Sequence, residues 1–264
     1  METINLDWSS QGPYGSYTGT LNRNGSSIRV TVEQDDCDCN PRGWDNLGTM
    51  VCWHRRYDLG DEQRRDTVFE WLEELAMSLD PTLEGRIYHW EYGNGWQHLA
   101  LTRDDPEVES SRRIKAIVEQ VIDEHIPVML PLYLYDHSGI SMSTRSFVGR
   151  APHAGWDSGQ VGWIYCTKEA IRENFMRQRV TQKLIDRATE VLRSEVKEYD
   201  HYLTGNVWGY RVEVIHKETC DSCGHIAEVE DFEDSCWGYL GDPDDYLLSE
   251  VNAILKAYDV EAEL

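Results

Sequence analysis

The chain has 264 residues, and its 40 % hydrophobic content is enough for a substantial core in one large domain or two small ones. Its 48 acidic and 25 basic residues give a net charge of −23, which excludes a conventional nucleic-acid binder, because displacing phosphate counterions takes a basic surface. The longest apolar run, Ile126 to Tyr135, is too short to cross a bilayer and contains Pro127 and Pro131, and the N-terminus lacks a secretory pattern. No membrane association and a cytoplasmic location are therefore expected, and seven irregularly spaced cysteines agree with a reducing compartment.

In chain order, the first elements read as β. Thr18 to Asn22 and Ile28 to Val32 alternate apolar with polar residues around Asn24-Gly25, a pair suited to a tight hairpin turn. Leu47 to Trp53 is the next expected strand. Val68, Leu72, Leu75 and Leu79 recur at helical spacing in the segment 62 to 79, which stops at Asp80-Pro81. A second helix is expected over 106 to 125, capped by Asp105, with Pro106 in its first turn and Ile114, Ile117, Val118, Val121 and Ile122 on one face.

The central block follows. Pro127 to Tyr135 and Val161 to Thr167, the latter within the run Gln160 to Lys168, are apolar on both faces, as central strands covered on both sides tend to be. A third helix begins after Thr181, carries Leu184, Ala188, Leu192, Val196, Tyr199 and Leu203, and stops at Gly205. A hairpin is expected from Asn206 to about Glu230, and a last helix opens at Asp242-Pro243 and buries Leu247, Val251, Ile254, Leu255 and Tyr258. With no linker and no repeat, the expectation is a single α+β domain over 1–264: a mixed sheet with four main helices packed on it.

Three places could carry chemistry: the two polar turns of the central block, the turn after Trp53, and the hairpin that carries Cys220. At the end of the first central strand, Tyr135-Asp136-His137-Ser138 sets a carboxylate beside an imidazole, the pairing that prepares a general base. Neighbouring side chains in an extended segment point to opposite faces, so both reach one site only if the turn bends them there. Asp157-Ser158-Gly159 precedes the second central strand, with Gln160 at its start, and lacks the glycines of a nucleophile elbow. His54-Arg55-Arg56-Tyr57-Asp58 follows an earlier strand, and adjacent guanidinium forks suit carboxylate or phosphate. The competing reading is internal pairing with the abundant acids. If the protein is an enzyme, the catalytic candidates are His137, Asp136, His54 and Asp157; the ligand-binding candidates are Arg55, Arg56, Tyr135, Ser138 and Gln160.

The third place is Cys220-Asp221-Ser222-Cys223-Gly224-His225, a turn able to present two thiolates to one structural zinc ion. Closure needs further ligands, and His225 and Cys236 complete the candidate set Cys220, Cys223, His225 and Cys236; His216, Cys37 and Cys39 are the other donors, and the knuckle-like hairpin would span 206–238. Cys52 and Cys166 lie in apolar runs and are expected to be buried. Ten tryptophans, several beside Gly or Asp, could anchor an interface or cap a core.

The excess acid has three readings: solubility or salt adaptation, an ordinary acidic enzyme, or a surface imitating DNA. Duplex carries about one charge per 1.7 Å, so 23 charges in a stripe would match roughly 40 Å of helix.

The segments Leu47 to Gly60, Tyr135 to Thr144 (YDHSGISMST), Trp156 to Gly162 (WDSGQVG), Tyr202 to Gly205 and Asp234 to Gly238 (DSCWG) resemble a family of tailed-phage and mobile-element proteins without an assigned function. The resemblance covers most of the chain from about 44 to 241 and carries no catalytic residue over. It implies a viral origin. The leading expectation is a non-enzymatic phage accessory protein in the host cytoplasm that binds and inhibits a host nucleic-acid-handling or defence protein, without binding nucleic acid directly. The alternatives are a small enzyme or ligand-sequestering protein using a polar pocket on which His54, Arg55, Asp136, His137 and Asp157 converge, and a structural or assembly protein.

Overall fold

A computed structural model describes residues 9–10, 16–23, 26–36, 38–243 and 246–261. The chain divides into two compact units, one formed by residues 1–44, 137–141 and 197–264, the other by 45–136 and 142–196. The α+β class expected from the sequence is the class observed, with the strands divided between two five-stranded sheets. Asn24-Gly25, the expected turn, and Cys37 lie outside the described residues.

The first sheet is antiparallel. It contains β1 (Ser9–Ser10), β2 (Tyr17–Arg23) and β3 (Ser26–Gln34), then the long pair β9 (Val207–Thr219) and β10 (Ile226–Leu240), in the order β1-β2-β3-β9-β10. Ile28 stands opposite Val214, Val30 opposite Val212, and Val32 opposite Tyr210. Period-two alternation puts these side chains on one face, and they form a buried cluster with Trp208, Leu247 and Val251. The last two belong to α8 (Leu247–Glu261). That helix starts later than its expected Asp242-Pro243 opening, and the Pro243 carbonyl accepts from Leu248 N at 3.1 Å. Gly209 lies under the Trp237 indole, where a Cβ would collide with the ring.

The second sheet runs β5-β4-β8-β6-β7, from β4 (Thr49–Cys52), β5 (Glu62–Gln63), β6 (Val128–Asp136), β7 (Ile140–Ser143) and β8 (Ser158–Cys166). The two apolar runs of the central block are its inner strands β6 and β8, antiparallel to each other. Six helices belong to this part of the chain: α1 (Val68–Leu79), α2 (Leu83–Glu91), α3 (Asn94–Thr102), α4 (Pro106–His125), α5 (Ala154–Asp157) and α6 (Lys168–Asn174), and the division between units falls within α7 (Gln182–Leu203).

Thr67 and Glu70 close a capping box on α1, so the helix begins six residues later than its apolar spacing predicts, and β5 occupies the difference. Asp105 caps α4 as expected. Ala76, Leu83, Ile87, Ile114, Val118 and Val121 make one apolar cluster, and Val51, Trp71, Ile126 and Tyr165 another. The Trp53, Trp71 and Trp163 rings meet within 5.3 to 5.9 Å. Cys52 and Cys166 are buried, as expected.

One carboxylate inside this unit has a structural task. Glu195 of α7, only 8 % exposed, accepts from Leu47 N at 2.7 Å and Gly48 N at 3.1 Å, tying down the entry to β4. Side-chain contact is close there, since a Cβ on Gly48 would meet Ile164 and Leu192 below 3.0 Å.

Candidate functional site

The best-organised polar cluster of the second unit lies on the loop between β4 and β5. Asp61 N donates to Met50 O at 2.9 Å and Arg64 N donates to Cys52 O at 2.8 Å, so the loop folds back on the strand it left. Gly60 makes the return, with φ +72° and no room for a Cβ beside Met50. Within the loop, the Nδ1 of His54 accepts from Arg56 N at 3.3 Å and Tyr57 N at 3.1 Å. The His54 carbonyl accepts from Gln63 Nε2 at 2.6 Å and Arg65 Nη1 at 3.1 Å. The His54 and Tyr57 rings stack with centroids 5.0 Å apart.

Asp136, at the end of β6, reaches this loop. Its carboxylate is ion-paired with Arg56 and accepts from the Tyr57 hydroxyl at 3.4 Å. Two elements 80 residues apart in sequence thus supply one polar cluster. Burial, then the positive charges of Arg56, Arg55 and Arg65, holds the pKa of His54 below its usual value. The ring is therefore neutral near pH 7, and because Nδ1 is an acceptor, its proton is on Nε2.

The other expected residues are distributed differently. Tyr135 donates its hydroxyl to Pro152 O at 2.9 Å and stacks on Phe147. Asp157 ends the short α5, its N–H donating to His153 O at 3.1 Å. Gln160 is opposite Tyr133 on β6, and its Nε2 donates to Gly162 O at 3.3 Å. His137 and Ser138 lie in the turn after β6, which belongs to the other unit; His137 N donates to Gly139 O, and Ser138 adopts φ +60°. His54, Arg56 and Asp136 are brought together. Arg55 adjoins them in the chain.

Sequence reasoning missed Gln63, Arg64 and Arg65. Arg64 is held by Asp66 and by Glu74 at 2.6 Å, which raise its pKa, and Glu62 lies 3.9 Å away. The signal that singled out Arg55-Arg56, an arginine doublet in an acidic chain, marks Arg64-Arg65 equally well.

The hairpin of β9 and β10 is longer than expected, reaching Leu240. Cys220 and Cys223 sit at its tip, where Cys220 N donates to His225 O and Gly224 N donates to Cys220 O, both at 2.8 Å. Ser222, then Cys223, stabilises the Cys220 thiolate by hydrogen bonding and lowers its pKa to about 6. Cys236 is opposite Tyr210, ten strand positions beyond Ile226, which places it roughly 30 Å from the tip. The set Cys220, Cys223, His225 and Cys236 therefore does not converge, and a zinc ion on the two tip thiols would need other ligands. Cys39 is disulfide-bonded and offers no thiolate. His216, three residues before the end of β9, faces Glu218 at 3.2 Å and Asp231 at 3.3 Å. Among the described residues no group of three or more His, Cys, Asp or Glu side chains is arranged to hold a metal ion.

β10 is the terminal strand of its sheet and is exposed over most of its length. Glu228, Glu230, Asp231, Glu233 and Asp234 crowd into it, with a register shift between Phe232 and Asp234. Glu230 pairs with Arg29 at 2.7 Å. No helix among the described residues is long and apolar enough to cross a membrane. No protein-family model, curated protein or solved structure matches this chain.

Proposed function

We propose that this chain is a phage-encoded accessory protein of the host cytoplasm that binds and inhibits a nucleic-acid-handling or defence protein, presenting carboxylates where that protein expects phosphates. The observation that carries this reading is the exposed acidic edge strand β10. From Glu228 to Asp234 it presents five carboxylates over about 20 Å of extended chain, against one phosphate per about 3.4 Å along a DNA strand. Neither the Arg29 partner of Glu230 nor the His216 partner of Asp231 offsets the excess, since Glu228, Glu233 and Asp234 have no ion-pair partner among the described residues.

The pairing of Arg56 with Asp136 argues against Asp136 as a free general base, which leaves the enzymatic alternative with less support than the binding one. The test is affinity capture from infected host cells, followed by competition with duplex DNA using the purified partner. The expected result is a partner that DNA displaces and that rising salt releases. Glu228→Gln, Glu233→Gln and Asp234→Asn together should weaken the complex. Binding indifferent to salt and to DNA would overturn the proposal.

A further inference from the structure

The arginines around the β4–β5 loop are of two kinds. Arg56 is matched by Asp136, and Arg64 by Asp66, Glu74 and Glu62. Arg55 and Arg65 are exposed, and neither forms an ion pair among the described residues. This is unexpected in a chain with 48 acidic residues, where partners are abundant. Arg65 is held against the loop by its hydrogen bond to the His54 carbonyl, and Arg55 is the next residue after His54. Both guanidinium groups act on the same imidazole. That imidazole has its Nδ1 occupied by two backbone N–H groups, so the Nε2–H is its remaining donor, and it has no acceptor among the described residues.

We propose that Arg55, Arg65 and the Nε2–H of His54 form a binding site for a phosphoryl group, independent of the acidic strand in the other unit. A carboxylate is planar and is satisfied by one guanidinium fork, whereas two forks and an imidazole donor on three separate side chains match the several oxygens of a phosphate. Salt screens charges beyond about 8 Å at physiological ionic strength, so the net negative charge of the protein does not cancel an attraction this local. The charged groups facing His54 are Arg55, Arg56 and Arg65, with Asp136 already neutralised on Arg56. A bound phosphate adds the negative charge that the ring lacks, and so favours its protonated form. By reciprocity, protonating His54 tightens phosphate binding.

The experiment follows the assigned ring proton of His54 by NMR across pH in the full chain, in sodium chloride and in sodium phosphate at matched ionic strength. Adenosine 5′-monophosphate and sodium acetate serve as further arms. Phosphate should raise the His54 midpoint by about one pH unit, equivalent to a tenfold preference for the protonated ring. A larger shift with the nucleotide than with inorganic phosphate identifies a phosphate ester as the ligand, and the reverse identifies the free ion. In Arg55→Ala and Arg65→Ala the midpoint in chloride should rise, because a nearby cation is gone, and the added shift with phosphate should disappear. Arg55→Lys keeps the charge and removes the fork, so it should leave the chloride midpoint in place and lose most of the phosphate shift. Equal midpoints in phosphate and chloride, an equal shift with acetate, or a phosphate shift that survives both alanine variants would overturn the proposal.

Discussion

The two sheets treat their long strands in opposite ways. β8, in the middle of its sheet, buries Val161, Gly162, Ile164, Tyr165 and Cys166, whereas β10, at the margin of the other, leaves most of its side chains in water. Gly162 shows how tightly the first is fitted, since a Cβ there would run into the Val51 carbonyl. In β10 the backbone is the exposed asset, and carboxylates line it. Charges on an edge also discourage unwanted strand pairing, so the acid serves solubility whatever else it binds. The contrast teaches that chemistry-bearing residues of one type acquire different properties from the sheet position they occupy.

The harshest way to break this contrast is Trp71→Ala. Trp71 is buried against Trp53, Trp163 and Tyr165, and its loss should cost about 3–5 kcal/mol, read as a lower denaturation midpoint. An exposed residue of β10 such as Phe232, 65 % accessible, should tolerate the same truncation with a far smaller effect.

The cysteines sharpen the comparison next. The pKa of Cys220 is lowered to about 6, while burial, then the charge of Glu195, pushes Cys166 up to about 12. Thiolate is the reactive form and is present above the pKa, so alkylation of Cys220 should rise through pH 6 and level off by neutrality. Cys166 should stay inert across that range. After allowing for the greater intrinsic nucleophilicity of the more basic thiolate, the rates at pH 7 should differ roughly a hundredfold or more, with mass spectrometry of each peptide as the readout.

A smaller effect is expected from Glu195→Ala. The buried N–H groups of Leu47 and Gly48 would lose their acceptor, at a cost of about 1–3 kcal/mol. Hydrogen exchange should speed up first at the start of β4, ahead of the aromatic cluster.

Local signals were legible in the sequence. Asp105 and Pro106 fixed the start of α4, and Thr181 and Gly205, the latter at φ +70°, bracketed α7. The inner strands β6 and β8 stood out because both faces are apolar. What could not be read was pairing across long separations: Ile28 stands opposite Val214 from the far end of the chain, and no local pattern links the two. α2 and α3 were missed because Tyr88, His89, Gly93 and Gly95 dilute their apolar stripes. At the site, His54, Arg56 and Asp136 were readable as residue types. The separation of Cys236 from the tip cysteines was hidden because the sequence did not show where β10 ends.

The loop that leaves β4 and returns through Gly60 has both ends fastened by backbone hydrogen bonds, to Met50 and to Cys52. Compact loops with closed ends behave as modules. The exposed stretch from Arg55 to Asp58 could therefore be replaced by another of equal length while Trp53, Leu59, Gly60 and Asp61 keep their places, so binding preference could diverge here while the sheet stayed the same.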